Sequence, residues 1–226
     1  MPQRPALAYL FLVRSVQAVR SRARKHPVRY ATTRRLEREV YANAARLFLD
    51  ACMLYANRSF PSAYALAILA LEEVGKVEMM DHVCFEAVLN DGSFRLKSDR
   101  MDHLFSRRMF YCHPNKQAWG VNSPLRKRVP VVERLIDDRN TLDRHKQDSL
   151  YVGFSQGRIR SPARFGATQA HRQLRYVLGA FERLGDLPFN GVFEKSTRST
   201  KKEAKRVCDE LRVAFEGLRS PRHCGT

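Results

Sequence analysis

The stretch from Asn43 to Lys76, NAARLFLDACMLYANRSFPSAYALAILALEEVGK, leaves little freedom in what this chain can fold into. Val40, Ala44, Leu47, Ala51 and Leu54 recur at spacings of four and three, the footprint of one helix face. From Ala63 to Leu71 almost every residue is apolar and most are small, so the second helix is covered on all sides by other elements. Phe60-Pro61 separates the two, and Pro suits the first turn of a new helix, where its missing N–H costs nothing. An antiparallel pair follows, at about residues 34 to 57 and 62 to 89.

The buried run ends in Glu72, Glu73, Gly75 and Lys76. Glu72 and Lys76 stand one turn apart in the favourable order, with Glu N-terminal. Glu72, Glu73 and Lys76 are expected to form a polar network satisfied by a neighbouring helix. A helical Gly costs about 1 kcal/mol relative to Ala, so Gly75 predicts a close-packed neighbour, with a second copy of the chain as one candidate.

Charge is the strongest global signal. The 226 residues carry a net +18, and residues 1 to 36 contain no acid while including Arg20, Arg22, Arg24, Lys25, Arg34 and Arg35. Such a balance predicts an anionic partner, nucleic acid first. The apolar run Ala6–Val13 precedes its basic stretch, the reverse of a secretory signal. The start therefore reads as a basic helix or arm, either touching RNA phosphates or packed on the domain, with an organellar transit peptide as a third option. Five Cys without a C-x-x-C pair argue for a reduced, cytoplasmic chain and against a zinc ribbon. No apolar run approaches the roughly 20 residues of a membrane span.

Further along, Asn90 to Ser93 has turn chemistry, and a helix is expected from Ser98 to Tyr111, carrying Asp102, His103, Arg107 and Arg108. His113 to Pro124, with Pro114 and Gly120, reads as a loop holding the only Trp, Trp119, either a lid over the core or a base-stacking platform. Helical periodicity resumes from Val129 through Ile136. Leu150-Tyr151-Val152 favours a short extended segment, and two amphipathic helices follow at 167 to 185 and 199 to 219.

Asn43-Ala44, Asp50-Ala51, the Ala/Leu run, Glu72-Glu73-Val74-Gly75-Lys76 and Leu150-Tyr151-Val152 together resemble the AbiV family of abortive-infection proteins, a branch of the HEPN superfamily, over about residues 38 to 165. The resemblance implies an all-α fold: a HEPN-like bundle at 34–165, an extra basic N-terminal helix at 1–30, a C-terminal helical extension at 166–226, and one short extended segment near 150–160. HEPN ribonucleases are recognised by an Arg, commonly followed by a polar residue, with a His four to six residues later. Arg139, Asn140 and His145 fit, with five residues between Arg and His.

The chemistry suits those residue types. Imidazole is the side chain titrating nearest neutral pH and can take the proton of a ribose 2′-OH. Guanidinium offers a planar, permanent charge to the phosphorane oxygens. The expected activity is a metal-independent endoribonuclease leaving a 2′,3′-cyclic phosphate, with no cofactor and no metal. On one continuous helix Arg139 and His145 stand about 120° apart, so they converge only where the helix ends or bends near Thr141, or across two protomers. The resemblance implies the second arrangement, a symmetric homodimer.

His103 beside Asp102 is the alternative base. Tyr151 is a candidate to line the cleft, although Gly153 stands where the family is expected to carry an acid. Arg144, Lys146, Arg107 and Arg108 are candidate RNA contacts. The expected partners are RNA (tRNA, mRNA or rRNA), a second copy, and a phage protein or antitoxin, with no membrane. Against the antiphage ribonuclease stands a non-catalytic basic protein that binds RNA, the ribosome or a phage protein and blocks by occupancy.

Overall fold

The computed structural model describes residues 30–91, 111–121, 141–155, 157–185 and 198–218. The expected N-terminal helix, the helix at 98 to 111 except its last residue, and the helical stretch from Val129 to Ile136 lie outside these residues. The rest is all-α apart from one small hairpin: α1 (Tyr30–Ala56), α2 (Phe60–Asp91), α3 (His113–Val121), α4 (Thr141–Leu150), α5 (Ala167–Gly185) and α6 (Arg198–Glu216).

α1 and α2 form the expected antiparallel pair. Arg58 takes φ 62°, and the Ser59 and Arg58 amides donate to the Leu54 and Tyr55 carbonyls, both at 2.9 Å. This is a Schellman closure made with Arg where Gly is usual. Pro61 sits in the first turn of α2. Ala63, Ala65, Ala67 and Ala70 are fully buried, because small side chains let α1, α3, α4 and α5 all close on α2. Around them Phe48, Ile68, Leu71, Leu174, Phe181 and Leu211 fill the core, and α6 closes it by packing on α5 and α1.

Three expectations are corrected. Residues 113 to 121 are helix rather than loop. Pro114 falls in the first turn, where a proline is tolerated, and Gly120 is there for packing: a Cβ on it would lie 2.6 Å from the Leu71 carbonyl oxygen. Gly75 faces the same crossing, and its close neighbour is α3 of the same chain rather than a second copy, since a Cβ there would collide with the Lys116 carbonyl. Asn90 and Asp91 still belong to α2 instead of opening a turn. Trp119 is half-buried against the core, its ring 5.0 Å from that of His82, as a lid would be.

The extended segment begins at Gly153, because Leu150 still belongs to α4. Strands β1 (Gly153–Ser155) and β2 (Arg158–Arg160) pair antiparallel with Phe154 opposite Ile159. The link between them includes Gly157 at φ +73°, a left-handed conformation that glycine enters without steric cost. A 3-10 turn, Pro162–Arg164, then leads into α5. No helix among the described residues is long and apolar enough to cross a membrane. Cys52, Cys112 and Cys208 are free thiols.

Candidate functional site

The sequence of α4, TLDRHKQDSL, is too polar to pack by apolar area alone. Leu142, Lys146 and Ser149 nevertheless recur at helical spacing on its buried face. Of these, Lys146 meets Glu72, only 2% exposed in the middle of α2. Its Oε1 accepts from Lys146 Nζ at 2.7 Å and Gln117 Nε2 at 2.8 Å. Its Oε2 faces His113 Nδ1 at 2.5 Å and Lys116 Nζ at 3.2 Å. Lys146 also reaches Asp143 Oδ1 at 2.9 Å. A carboxylate thus taken from water is supplied with opposite charge and several donors, the condition under which burial of a charge is tolerated.

Burial pushes the Glu72 carboxyl up, but the hydrogen bonds from Lys146 and His113, with the charges of Lys146 and Lys116, outweigh it and hold the group below the usual carboxylate range. For Lys146 burial acts downward, and the bonds to Glu72 and Asp143 reverse it, so the ammonium is held more firmly than in water.

Among the described residues, Glu72, His113 and Asp143 present ligand atoms within 4.8 Å of one another, a separation at which three side chains could share one metal ion. Lys146 Nζ already stands 2.7 Å from Glu72, 2.9 Å from Asp143 and 3.2 Å from His113 Nδ1. A fixed ammonium therefore holds the position a cation would take. Glu73 and Lys76 form a separate pair at 2.5 Å one turn further on.

His145 points away from this cluster. It is half-buried, with Nδ1 3.3 Å from the Tyr64 hydroxyl and its ring edge-on to Phe165 at 5.9 Å. Burial, then the charge of Arg144, lowers its proton affinity; Asp148 opposes this, and Arg160 and Arg164 lower it further. The imidazole is accordingly neutral at pH 7 and surrounded mainly by guanidinium groups. Burial pushes the Tyr64 phenol up to about 12, so it keeps its proton.

Of the residues singled out from sequence, His145, Glu72, Glu73, Lys76, Arg144, Lys146 and Tyr151 are described. Arg139, Asn140, Asp102, His103, Arg107 and Arg108 lie outside the described residues, with α4 opening at Thr141 directly after the Arg139-Asn140 pair. Lys146, expected to contact RNA, is corrected: at 3% exposure its charge is engaged by Glu72 and Asp143. Glu72 pairs across to α3 and α4, and Lys76 takes Glu73 instead. Tyr151 is exposed at the junction of α4 and the hairpin.

Sequence reasoning missed His113, Lys116 and Gln117, three residues on one face of α3. Their spacing of three and four was a usable signal, hidden by taking Pro114 and Gly120 as loop formers.

The fold and site define an all-α bundle whose second helix carries a buried carboxylate and whose fourth helix presents a neutral histidine among arginines. A family model described as AbiV, of the HEPN type, matches residues 32–177, from the start of α1 into α5. The chain belongs to the AbiV family of the HEPN superfamily, a group of abortive-infection-related proteins. No curated protein and no solved structure matches it.

Proposed function

We propose that this protein is an antiphage effector that cleaves RNA without a metal ion, working as a homodimer to arrest translation or growth. The observation that carries the reading is His145: a neutral imidazole, fixed by Tyr64 and Phe165, with Arg144, Arg160 and Arg164 close enough to depress its proton affinity. Such a group is a base in a field that attracts phosphate.

In the proposed step Nδ1–H donates to the Tyr64 oxygen, leaving the Nε2 lone pair free. Nε2 takes the proton of a ribose 2′-OH, and the 2′-oxygen attacks phosphorus. The bond from phosphorus to the 5′-oxygen breaks, giving a 2′,3′-cyclic phosphate and a 5′-hydroxyl whose proton comes from water or a second acid. Arg139 is the cation assigned to the charge that builds on the phosphorane.

The test is purified protein incubated with total RNA, with and without EDTA, and with the product ends mapped. Cleavage in EDTA with cyclic phosphate ends is expected, and His145→Ala should abolish both cleavage and toxicity while leaving the melting temperature in place. Cleavage that needs added metal would overturn the mechanism. Toxicity that survives His145→Ala would favour the occupancy reading, in which the basic surface binds and blocks without cutting.

A further inference from the structure

The face of the hairpin that no helix of the described residues covers is apolar and aromatic. Phe154 and Ile159 are directly paired across the strands and so share one face, 75% and 71% exposed. The opposite face carries Arg160, whose guanidinium is tied to Asp148 of α4 at 2.9 Å in a half-buried pair. That tie fixes which side looks outward. Tyr151 and Val152, 63% and 73% exposed, adjoin the hairpin where it leaves α4. A two-stranded hairpin is marginal in water on its own, and large apolar groups left open in this way mark a contact surface.

Charge identifies the occupant. Between Ser149 and Phe181 the sequence has no Asp or Glu, yet it carries Arg158, Arg160, Arg164, Arg172 and Arg175. Arg158, Arg164, Arg172 and Arg175 are all exposed. A second copy of a +18 chain would bring the same arginines against these. Single-stranded RNA matches both parts of the surface: base faces stack on aromatic side chains, and phosphates pair with the arginines around them. Bases within a duplex are already stacked on one another and are not offered to such a surface.

We infer that the outward face of the hairpin, centred on Phe154 with Ile159, is a stacking platform for unpaired bases of single-stranded RNA, with the exposed arginines around it, Arg164 among them, on its phosphates. This deepens the ribonuclease reading, on which it rests for its place beside a cleavage site. The hairpin follows α4 after only Tyr151 and Val152, and Phe165, just past it, packs on His145. A strand on the platform is thereby delivered to the imidazole, and the substrate class becomes unpaired RNA.

The test measures binding apart from cleavage. Full-length protein carrying His145→Asn, in EDTA, is titrated by anisotropy into labelled oligouridylate and into duplex RNA of the same length. Phe154→Ser on this background should weaken oligouridylate binding on the order of tenfold. Phe154→Trp should preserve it, Phe154→Leu should be nearly as weak as Ser, and duplex affinity should hardly change. Unchanged oligouridylate affinity in Phe154→Ser overturns the platform, as does an equal loss for duplex, or no binding of oligouridylate by the His145→Asn protein at all. A shift from dimer to monomer in sedimentation, with RNA affinity intact, would assign the face to a second copy and equally overturn it. The two readings fail separately: normal cleavage with Phe154→Ser binding as wild type removes only the platform. Loss of binding in Phe154→Ser, with a wild-type protein that cuts no RNA, removes only the nuclease.

Discussion

Lys146→Met tests whether α4 is held by charge. In the wild type the carboxylates of Glu72 and Asp143 face the ammonium groups of Lys116 and Lys146. Removing Lys146 leaves Glu72 Oε1 with Gln117 at 2.8 Å, and Oε2 with His113 and Lys116. Taking one partner from a buried pair costs about 3–5 kcal/mol. Two donors remain on Oε2, so the lower figure applies, and about 3 kcal/mol in a chain of this size is a fall of roughly 6–12 °C in melting temperature.

Urea denaturation followed by circular dichroism measures it, and pH supplies the control. The Glu72 carboxyl is depressed below its ordinary 4.5, so its contribution is present above that pH and lost as the pH falls through the folded value. The gap between wild type and Lys146→Met should therefore narrow below pH 4.5. Lys146 is raised above 10.5, so the wild-type advantage should also fade as the pH climbs through the folded value. Adding Glu72→Gln should recover part of the loss, with a coupling of about 0.5–3 kcal/mol. A Lys146→Met protein within about 0.5 kcal/mol of wild type at neutral pH would refute the account of α4 given above.

Two further outcomes follow from other contacts. Asp148 raises the proton affinity of His145 against the lowering by burial and by Arg144, so Asp148→Asn should move the acid limb of the kcat/KM profile for RNA cleavage to lower pH, further beneath 6.5; movement to higher pH would show that Asp148 does not act on the imidazole. At Gly75 an added Cβ would meet Lys116 and, at 2.9 Å, the Gly120 amide nitrogen, all backbone that cannot rotate away. Gly75→Ala should cost about 1–3 kcal/mol or more and shift the emission of Trp119, the sole Trp, which rides on α3; an unchanged melt and unchanged emission would show that α3 is not held at this crossing.

How much of this was legible in the sequence varied with the kind of signal. The α1–α2 pair and the two terminal amphipathic helices were readable because apolar periodicity is strong in long helices, and each observed boundary falls within a few residues of its expected place. α3 was unreadable in the same way because two residues with breaker chemistry serve other ends there: Pro114 opens the helix and Gly120 makes room for the Leu71 carbonyl. For the site, periodicity said that Glu72 would be buried, but nothing local said who would answer it. The answer comes from Lys146, 74 residues later, and from His113, 41 residues later. The pairing of Glu72 with Lys76 failed for the same reason, since a favourable i,i+4 pair is worth only tenths of a kcal/mol and a buried carboxylate draws stronger partners from other helices. Lys146 was misassigned because a Lys beside a His in a polar segment looks solvated until the carboxylate it meets is known.

α4 joins these two levels. A ten-residue helix with so few apolar groups would not persist alone, since isolated helices shorter than about 12–15 residues are marginal in water. Lys146 on Glu72, with Leu142 and Ser149 beside it, fixes one face of α4, and that fixes where the adjoining face points His145, against Tyr64 and Phe165. The imidazole is thus placed by a carboxylate that never touches it. Loss of activity on changing Glu72 would consequently follow from loss of α4 and would come with loss of stability, whereas changing His145 should remove activity alone. The two kinds of variant are separated by a denaturation curve, and an inactive Glu72 variant with a wild-type curve would mean that the carboxylate takes part in the chemistry itself.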